Sequence, residues 1–362
     1  MRMRVLDRLL ACRTEELGGH LCVCEGCGYS AVVYNSCGDR HCPQCQGRAT
    51  ADWVETRRRR MLPTPHFQVV FTLPAQLRSI AMGNPRLVYN LLFQVGTSIL
   101  KDLAAQRMGA RLGITSVLHT WTSELSYHPH VHCLVTSGGL SLDDERWVES
   151  GKDYLFPGRV LGQMFRGRFL ERLIDLFEAG DLYLPGDQVE AAKAFRTTLR
   201  SLSKRHTRWV VHVEAPKGRP VEYVTKYLAR YVKRVAISDA RIVEVTQTHV
   251  SFRTKDGSVV TLEGAEFVRR YLLHVLPSRL PKVRHHGLYA PGNAKLRLET
   301  ARRLLPGQRD APAEPSAEEE ETDQPPADAR PSALDVCPAC GEAQIYWIAL
   351  DLLSLVQPRG PP

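Results

Sequence analysis

Two Cys-x-x-Cys pairs near the amino terminus constrain the fold of this chain more than any other feature. Seven of its ten cysteines lie between residues 12 and 45, and they include Cys24-x-x-Cys27 and Cys42-x-x-Cys45. Two such pairs separated by a short loop have the spacing of a closed, tetrahedral zinc site with four thiolate ligands. We therefore predict a small zinc-binding domain over residues 1–60, with a structural Zn²⁺ held by Cys24, Cys27, Cys42 and Cys45.

The other potential metal ligands leave the number of zinc ions open. Cys12, His20, Cys37 and His41 lie in the same region and fit a second site, or they combine with the first set in another way. One zinc ion is the simpler prediction. A late pair, Cys337-x-x-Cys340, is half of a zinc knuckle, and it is either a remnant or a pair that binds together with another chain.

Charge is distributed unevenly along the chain. Eleven of the 39 acidic residues but only three of the 48 basic residues follow Gln308, so residues 1–308 carry 45 basic and 28 acidic side chains, a net charge of +17. A charge of this size attracts polyanions and favours nucleic acid as a partner over solubility alone. A closed zinc site offers no open position for catalysis, so we expect the zinc-binding domain to recognise or position DNA. A solvated helix end or a contact with that DNA accounts for the basic run Arg57, Arg58, Arg59 and Arg60.

Hydrophobic periodicity predicts strands and helices in an irregular order. Alternating apolar residues indicate strands at 66–74, 114–121, 126–139 and 208–216 and a late hairpin within 241–262. Helical spacing indicates helices at 85–107, 160–180, 219–238 and 264–277. The strand at 114–121 and the next one are joined by a short turn, which predicts an antiparallel hairpin. The overall order favours an α+β fold with a largely antiparallel sheet over a doubly wound parallel sheet.

Composition sets the remaining boundaries. Residues 306–331 are rich in Pro, Ala and Glu and lack large apolar side chains, which predicts disorder. We predict four segments: a zinc-binding domain (1–60), a main domain (61–305), an acidic Pro-rich linker (306–335) and a carboxy-terminal tail (336–362). No apolar run approaches the roughly 18 residues of a membrane span, and the amino terminus lacks the apolar region of a signal peptide. These features predict a cytoplasmic protein with no membrane partner.

The stretch SYHPHVHCLV places histidines at alternate positions, His128, His130 and His132. Alternate side chains of a strand share one face, so the three imidazoles point the same way unless Pro129 bends the strand. Neutral imidazole is the commonest side-chain metal ligand near neutral pH. His130 and His132, with Val131 facing inward between them, are therefore candidate ligands, and a metal site needs at least one more.

Three tyrosines recur at every fourth residue of EYVTKYLARYVKR and so lie along one helix face. Tyr223 fits a core position, whereas the basic side chains around Tyr227 and Tyr231 favour contact with phosphate. A phenol, with a pKa of about 10, is a reasonable nucleophile for phosphodiester cleavage, and a divalent metal on the histidine strand would polarise the phosphate. The basic residues predicted to contact DNA are Lys226, Arg230, Lys233 and Arg234.

These motifs resemble those of one known family. His130-Val131-His132 is similar to the histidine–hydrophobe–histidine (HUH) signature of rolling-circle nucleases. The stretch YLARYVKRVAIS, with Tyr227 and Tyr231, resembles the paired-tyrosine motif of insertion sequence 91 family transposases. The likeness runs through nearly all of the folded chain, including VFTLP, FPGRVL, EFVRRYLLHVLP and VRHHG. It implies a ferredoxin-like HUH endonuclease domain with a central antiparallel sheet, which is consistent with the α+β class.

The resemblance also implies an activity. Such a transposase nicks and transfers single-stranded DNA at element ends and target, using Mg²⁺ or Mn²⁺. Tyr227 and Tyr231 would be the nucleophiles that form a 5′-phosphotyrosine, and His130 and His132 the metal ligands. Imidazole ligands suit Mn²⁺ better than the harder Mg²⁺. For the third ligand we consider, in order of preference, His128, Gln247 and His285.

Two other functions fit part of the sequence. One is a non-catalytic zinc-ribbon protein that binds DNA, in which the histidines and tyrosines are only structural. The other is a plasmid rolling-circle replication initiator, which uses similar chemistry. The chain contains no G-x-x-x-x-G-K-[ST] motif, so a host helicase and the replication machinery are the expected partners for unwinding and synthesis. We expect it to act in the cytoplasm, at the nucleoid.

Overall fold

The computed structural model describes residues 2–45, 60–151, 155–204, 207, 209–216, 236–292, 294–306, 336–342 and 345–350. The amino-terminal region contains helix α1 (Arg2–Leu10) and the antiparallel strands β1 (Gly19–Cys24) and β2 (Ser30–Tyr34). A strand from the far end of the chain, β12 (Ile345–Leu350), pairs with the free edge of β1. The result is a three-stranded sheet in the order β12-β1-β2.

A larger antiparallel sheet occupies the middle of the chain. Its six strands are β3 (His66–Thr72), β4 (Ala110–Trp121), β5 (Tyr127–Ser141), β6 (Trp147–Glu149), β7 (Val211–Glu214) and β11 (Val283–Gly287). The strand order is β11-β4-β5-β3-β7, and β6 pairs with the end of β5. The strands β4 and β5 are the longest, and they form the hairpin that the short turn between them predicts.

Helices pack against one face of this sheet and enclose the main core. They are α2 (Arg78–Gly83), α3 (Pro85–Leu103), α4 (Gly158–Glu178) and α5 (Gln188–Ser203). Phe71 of β3 meets Phe165 of α4 with 5.2 Å between ring centroids, and Gly96 lets α3 approach the same ring closely. Because side chains alternate along a strand, the residues between these core positions point to the opposite face. That face carries Gln68, His130 and His132.

A third sheet lies beside the turn of the β4–β5 hairpin. It consists of β8 (Ile242–Val245), β9 (His249–Arg253) and β10 (Val259–Glu263), followed by helix α6 (Gly264–Leu273). Leu125 from the hairpin turn is buried with Phe252 of β9 and Tyr271 of α6. The Tyr271 hydroxyl donates a hydrogen bond to the carbonyl of His41, which links this unit to the amino-terminal region. The last helix is α7 (Ala294–Leu304).

The mixed helix–strand composition and the antiparallel sheets agree with the predicted α+β class. Periodicity missed α5, because only Phe195, Leu199 and Leu202 of this largely polar helix are buried. Most of the predicted helix at 219–238 and of the predicted linker at 306–335 lies outside the described residues. Within the described ranges, no helix is both long enough and apolar enough to span a membrane.

Candidate functional site

Three histidines converge on the open face of the central sheet. The hairpin register sets His119 of β4 directly opposite His130 of β5, and His132 follows on the same face. Their ring centroids lie 5.3 Å (His119–His130), 4.4 Å (His119–His132) and 4.8 Å (His130–His132) apart. One ring nitrogen from each lies within 4.8 Å of the others. The three nitrogens are therefore close enough to bind one metal ion together.

The turn of the hairpin explains how His119 reaches this place. The register of β4 against β5 shifts between His119 and Trp121, and the turn is closed by the bond from the Leu125 amide to the Thr122 carbonyl, 3.1 Å long. Leu125 adopts a φ of 62°, which is uncommon for a branched residue, and its side chain is fully buried in the core beside β9. Packing of this one leucine therefore helps to fix the register that aligns the histidines.

Burial keeps the two histidines of β5 neutral. Loss of solvation lowers the pKa of His130 to about 4, and it lowers the pKa of His132 well below its usual value, with the nearby cation of Lys255 adding to the effect. A neutral imidazole has one nitrogen lone pair free to bind a metal. In His130 the Nδ1–H donates to the His128 carbonyl over 2.6 Å, so its Nε2 carries the lone pair.

Gln68 of β3 fixes the orientation of His132. Its side-chain nitrogen lies 2.9 Å from His132 Nδ1. If the amide turns over, its oxygen accepts the Nδ1–H and leaves Nε2 of His132 free for a metal, an arrangement common among metal-binding histidines. Three nitrogen ligands fit a divalent ion, and the donor type suits Mn²⁺ or a softer ion better than Mg²⁺.

The structure does not bring the predicted third ligands into this cluster. The Nδ1 atom of His128 lies 2.7 Å from an Arg78 guanidinium nitrogen, and although its ring centroid is 5.3 Å from that of His130, its nitrogens lie outside the cluster of three. His285 on β11 pairs with the Thr115 hydroxyl over 3.0 Å. Gln247 lies between β8 and β9, which belong to a different sheet from the three histidines. His119, which the sequence reasoning missed, takes the place predicted for His128.

The ten cysteines contain two groups of four, and neither is the predicted set. Cys24 and Cys27 do not meet Cys42 and Cys45, so the predicted single site is divided. One group has Sγ–Sγ distances of 3.4 to 3.6 Å and consists of Cys12, Cys37, Cys42 and Cys45. The other group consists of Cys24, Cys27, Cys337 and Cys340.

The histidines that the sequence assigned to a second zinc site have structural partners instead. His41 Nδ1 lies 2.8 Å from an Asp39 oxygen, and its Nε2 accepts the amide hydrogen of Leu276. His20 lies edge-on to Trp347 of β12. Cys12 and Cys37 do belong to a four-cysteine group, so half of the predicted second site is present. Within the described residues, the thiolates alone complete both groups.

Known families account for most of this architecture. Residues 113–297, which include all three histidines, match the model of a family described as "Putative transposase". Residues 1–73 match a family described as a transposase zinc-binding domain of the insertion sequence 91 type. The chain belongs to the insertion sequence 91 family of transposases. This transposase therefore acts on DNA. Its amino-terminal region is a domain that binds structural zinc.

Two curated relatives support this membership. The transposase is 40% identical over 369 residues to "Putative transposase y4qJ" of Sinorhizobium fredii, covering 99% of this chain and 91% of the relative. It is 28% identical over 311 residues to the "Transposase for insertion sequence element IS801" of Pseudomonas savastanoi pv. phaseolicola, covering 80% of this chain and 70% of the relative. No solved structure matches the chain.

Several residues that the sequence of the transposase singles out, Tyr223 as a core residue and the others as functional ones, lie outside the described ranges. They are Tyr223, Tyr227 and Tyr231, the basic residues Lys226, Arg230, Lys233 and Arg234, and the arginines Arg57, Arg58 and Arg59. Arg60, the last of the basic run, is exposed at the start of a described segment. The roles of these residues stay predictions.

Proposed function

We propose that this transposase nicks and transfers single-stranded DNA through a metal-dependent, two-tyrosine mechanism on an HUH-type sheet. The observation that carries the proposal is the convergence of His119, His130 and His132 on the open face of an antiparallel sheet. The sheet, with helices on its other face, is compatible with the ferredoxin-like HUH fold that the sequence suggests. Family membership supplies DNA as the substrate class.

The proposed reaction exchanges one ester for another. The phenol oxygen of Tyr227 or Tyr231 attacks phosphorus, and the bond from phosphorus to the 3′-oxygen breaks. The strand that leaves takes up the proton that the phenol loses and ends in a 3′-hydroxyl, while the 5′-phosphate stays on tyrosine. The new ester retains the energy of the old one, so a second 3′-hydroxyl can reverse the step on target DNA without ATP.

The chain's own residues prepare the site for this step. His119, His130 and His132 would hold the divalent ion, which, when bound, withdraws charge from the scissile phosphate. Gln68 and the His128 carbonyl orient two of the rings. The cation of Lys255 acts on the same region, as its effect on the pKa of His132 indicates, and it favours the approach of a phosphate. Contacts farther along the DNA are assigned to Lys226, Arg230, Lys233, Arg234 and Arg57 to Arg60.

A covalent-adduct assay tests the proposal. The full chain is incubated with Mn²⁺ and a labelled single-stranded oligonucleotide that carries the element end, and denaturing gels reveal the protein–DNA adduct. We expect Tyr227→Phe and Tyr231→Phe, singly or together, to abolish it, and His119→Ala to reduce it strongly. Tyr183→Phe is the matched control, since Tyr183 is an exposed tyrosine on another surface.

Two results would overturn the proposal. An adduct formed by the double variant would show that these tyrosines are not the nucleophiles. Salt-sensitive DNA binding without cleavage in any divalent metal would favour a non-catalytic zinc-ribbon protein. We further propose that a host helicase and the replication machinery unwind and copy the DNA, and that the transposase works in the cytoplasm at the nucleoid.

A further inference from the structure

The second group of four cysteines joins the two ends of the chain. Cys24 Sγ lies 3.7 Å from Cys340 Sγ, and Cys27 Sγ lies 3.6 Å from Cys337 Sγ. Four thiolates at the 2.3 Å bond length of a tetrahedral zinc site lie about 3.8 Å from one another. The observed distances are close to this value and far longer than the roughly 2.05 Å of a disulfide. The four sulfurs therefore have the spacing of a metal site.

The two halves of this group repeat one backbone turn. Each follows the pattern Cys-x-x-Cys-Gly, at residues 24–28 and 337–341. In each, the glycine amide donates to the carbonyl of the first cysteine, over 3.0 Å from Gly28 and 2.8 Å from Gly341. Both glycines adopt a left-handed φ, 72° and 77°, that other residues rarely take.

A second hydrogen bond also recurs in both turns. The amide of the first cysteine donates to the residue after the glycine, Cys24 to the Tyr29 carbonyl over 2.9 Å and Cys337 to the Glu342 carbonyl over 2.7 Å. The pair Cys42-x-x-Cys45 is followed by Gln46, so it lacks the glycine of this pattern. The shared turn marks the pairs at 24–27 and 337–340 as matching halves of one zinc site, each presenting two sulfurs.

Backbone pairing brings the halves together independently of the sulfurs. β12 pairs with β1 in antiparallel register over six residues, from Gly19 opposite Leu350 to Cys24 opposite Ile345. Glu342 lies so close to Gly26 that a side chain at residue 26 would meet its carboxylate. A strand that completes a sheet edge satisfies backbone groups that would otherwise need water. Residues 336–350 thus dock on the amino-terminal region by more than their cysteines.

We propose that Cys24, Cys27, Cys337 and Cys340 bind a second structural Zn²⁺ that clasps the carboxy-terminal segment to the amino-terminal region. The family match for the zinc-binding domain ends at residue 73, so it contains only two of the four ligands. The site would also tether the carboxy-terminal end of residues 307–335, a stretch with nine acidic and two basic side chains. This proposal concerns assembly of the chain and is independent of the catalytic one.

Zinc stoichiometry of the full chain gives the first test. After dialysis to remove weakly held ions, elemental analysis should show that Cys337→Ser/Cys340→Ser holds one zinc fewer per chain than the unmodified protein. Cys22→Ala is the matched control and should keep the full count, because Cys22 is a buried cysteine of β1 outside both groups. An unchanged zinc count in the double serine variant would overturn the proposal.

A second test leaves all cysteines in place and so avoids misfolded variants. A specific protease site is inserted between Asp323 and Gln324, the chain is cut after purification, and gel filtration follows the carboxy-terminal fragment. We expect the fragment to coelute with the remainder, and a large share of it to separate after zinc is removed with 1,10-phenanthroline, although the pairing of β12 with β1 can retain some of it. A fragment lost while zinc is present, or the same share retained with and without zinc, would contradict the proposal. Coelution that requires a dimer by light scattering would assign the two halves to different chains and would also overturn it.

Discussion

Replacement of Gln68 by leucine tests whether the three histidines form a metal centre with an ordered surrounding. The side-chain amide of Gln68 lies 2.9 Å from His132 Nδ1 and is its polar neighbour on β3. Leucine has a similar size and suits a strand, so the sheet should be preserved while the hydrogen bond is lost. Loss of such a partner typically reduces metal affinity by about 10- to 100-fold, which corresponds to about 1.4 to 2.7 kcal/mol of binding free energy.

The measurement is a calorimetric titration of Mn²⁺ into the zinc-loaded full chain. We expect the Kd of Gln68→Leu to rise about 10- to 100-fold, and cleavage to recover at saturating Mn²⁺, because this variant keeps all three proposed ligands. Gln68→Glu keeps an oxygen that can accept the Nδ1–H, so its Kd should stay within a few-fold of the original, as a rough estimate. Gln94→Leu makes the same change on the exposed side of α3 and is the control. A Kd within about twofold of the original for Gln68→Leu would refute the role given to this hydrogen bond.

Three further predictions concern the metal ligands, a glycine and a buried histidine. His119→Ala should weaken Mn²⁺ binding strongly in the same titration, whereas His128→Ala should not, because the His128 nitrogens lie outside the cluster and the variant keeps the carbonyl that accepts the bond from His130. Gly287→Ala should lower the melting temperature more than Gly292→Ala. Both glycines have a left-handed φ, which costs an alanine about 1 to 2 kcal/mol of stability. Only at Gly287 would the new methyl group also collide with a carbonyl oxygen, that of Leu112. Burial lowers the pKa of His66 to about 4, whereas the pKa in the unfolded state is about 6.5. Between these two pH values the unfolded state binds a proton that the folded state does not, so the protein becomes less stable as the pH decreases. Between pH 7 and pH 5, the free energy of unfolding from urea denaturation should therefore fall by about 2 kcal/mol less in His66→Gln than in the original protein. Equal decreases in the two proteins would refute this assignment.

Local patterns were sufficient for the parts of the fold that depend on neighbouring residues. Alternation of apolar residues predicted β3, β4 and β5, because the period of a strand is a property of consecutive side chains. The short connection between β4 and β5 predicted that these two strands form a hairpin. The same alternation placed His130 and His132 on one face. His119 was within reach of this reasoning, since it lies on the predicted partner strand. Its position opposite His130 depends on the register shift before Trp121 and on the buried Leu125, and neither leaves a clear mark in the sequence.

The cysteines show where local reasoning ends. Spacing identified the pairs at 24–27 and 42–45, but two pairs close in sequence were assumed to share one metal. The structure separates the two pairs. Cys12 and Cys37 join Cys42 and Cys45, whereas Cys337 and Cys340, more than 300 residues away in sequence, join Cys24 and Cys27. The glycine that follows Cys27 and Cys340 but not Cys45 is the one signal in the sequence that distinguishes the matching halves.

The strand β5 makes the fold and the candidate site depend on each other. Val131, Cys133 and Val135 fill the core beneath the helices, and His130 and His132 occupy the face above. A slip of one residue against β4 would exchange these two sets, burying imidazoles among apolar side chains and exposing the core. The apolar contacts that stabilise the sheet therefore also hold the histidines in register with His119. The same pairing serves both the stability of the sheet and the proposed metal centre, so the histidines can be ordered before any ion or DNA arrives.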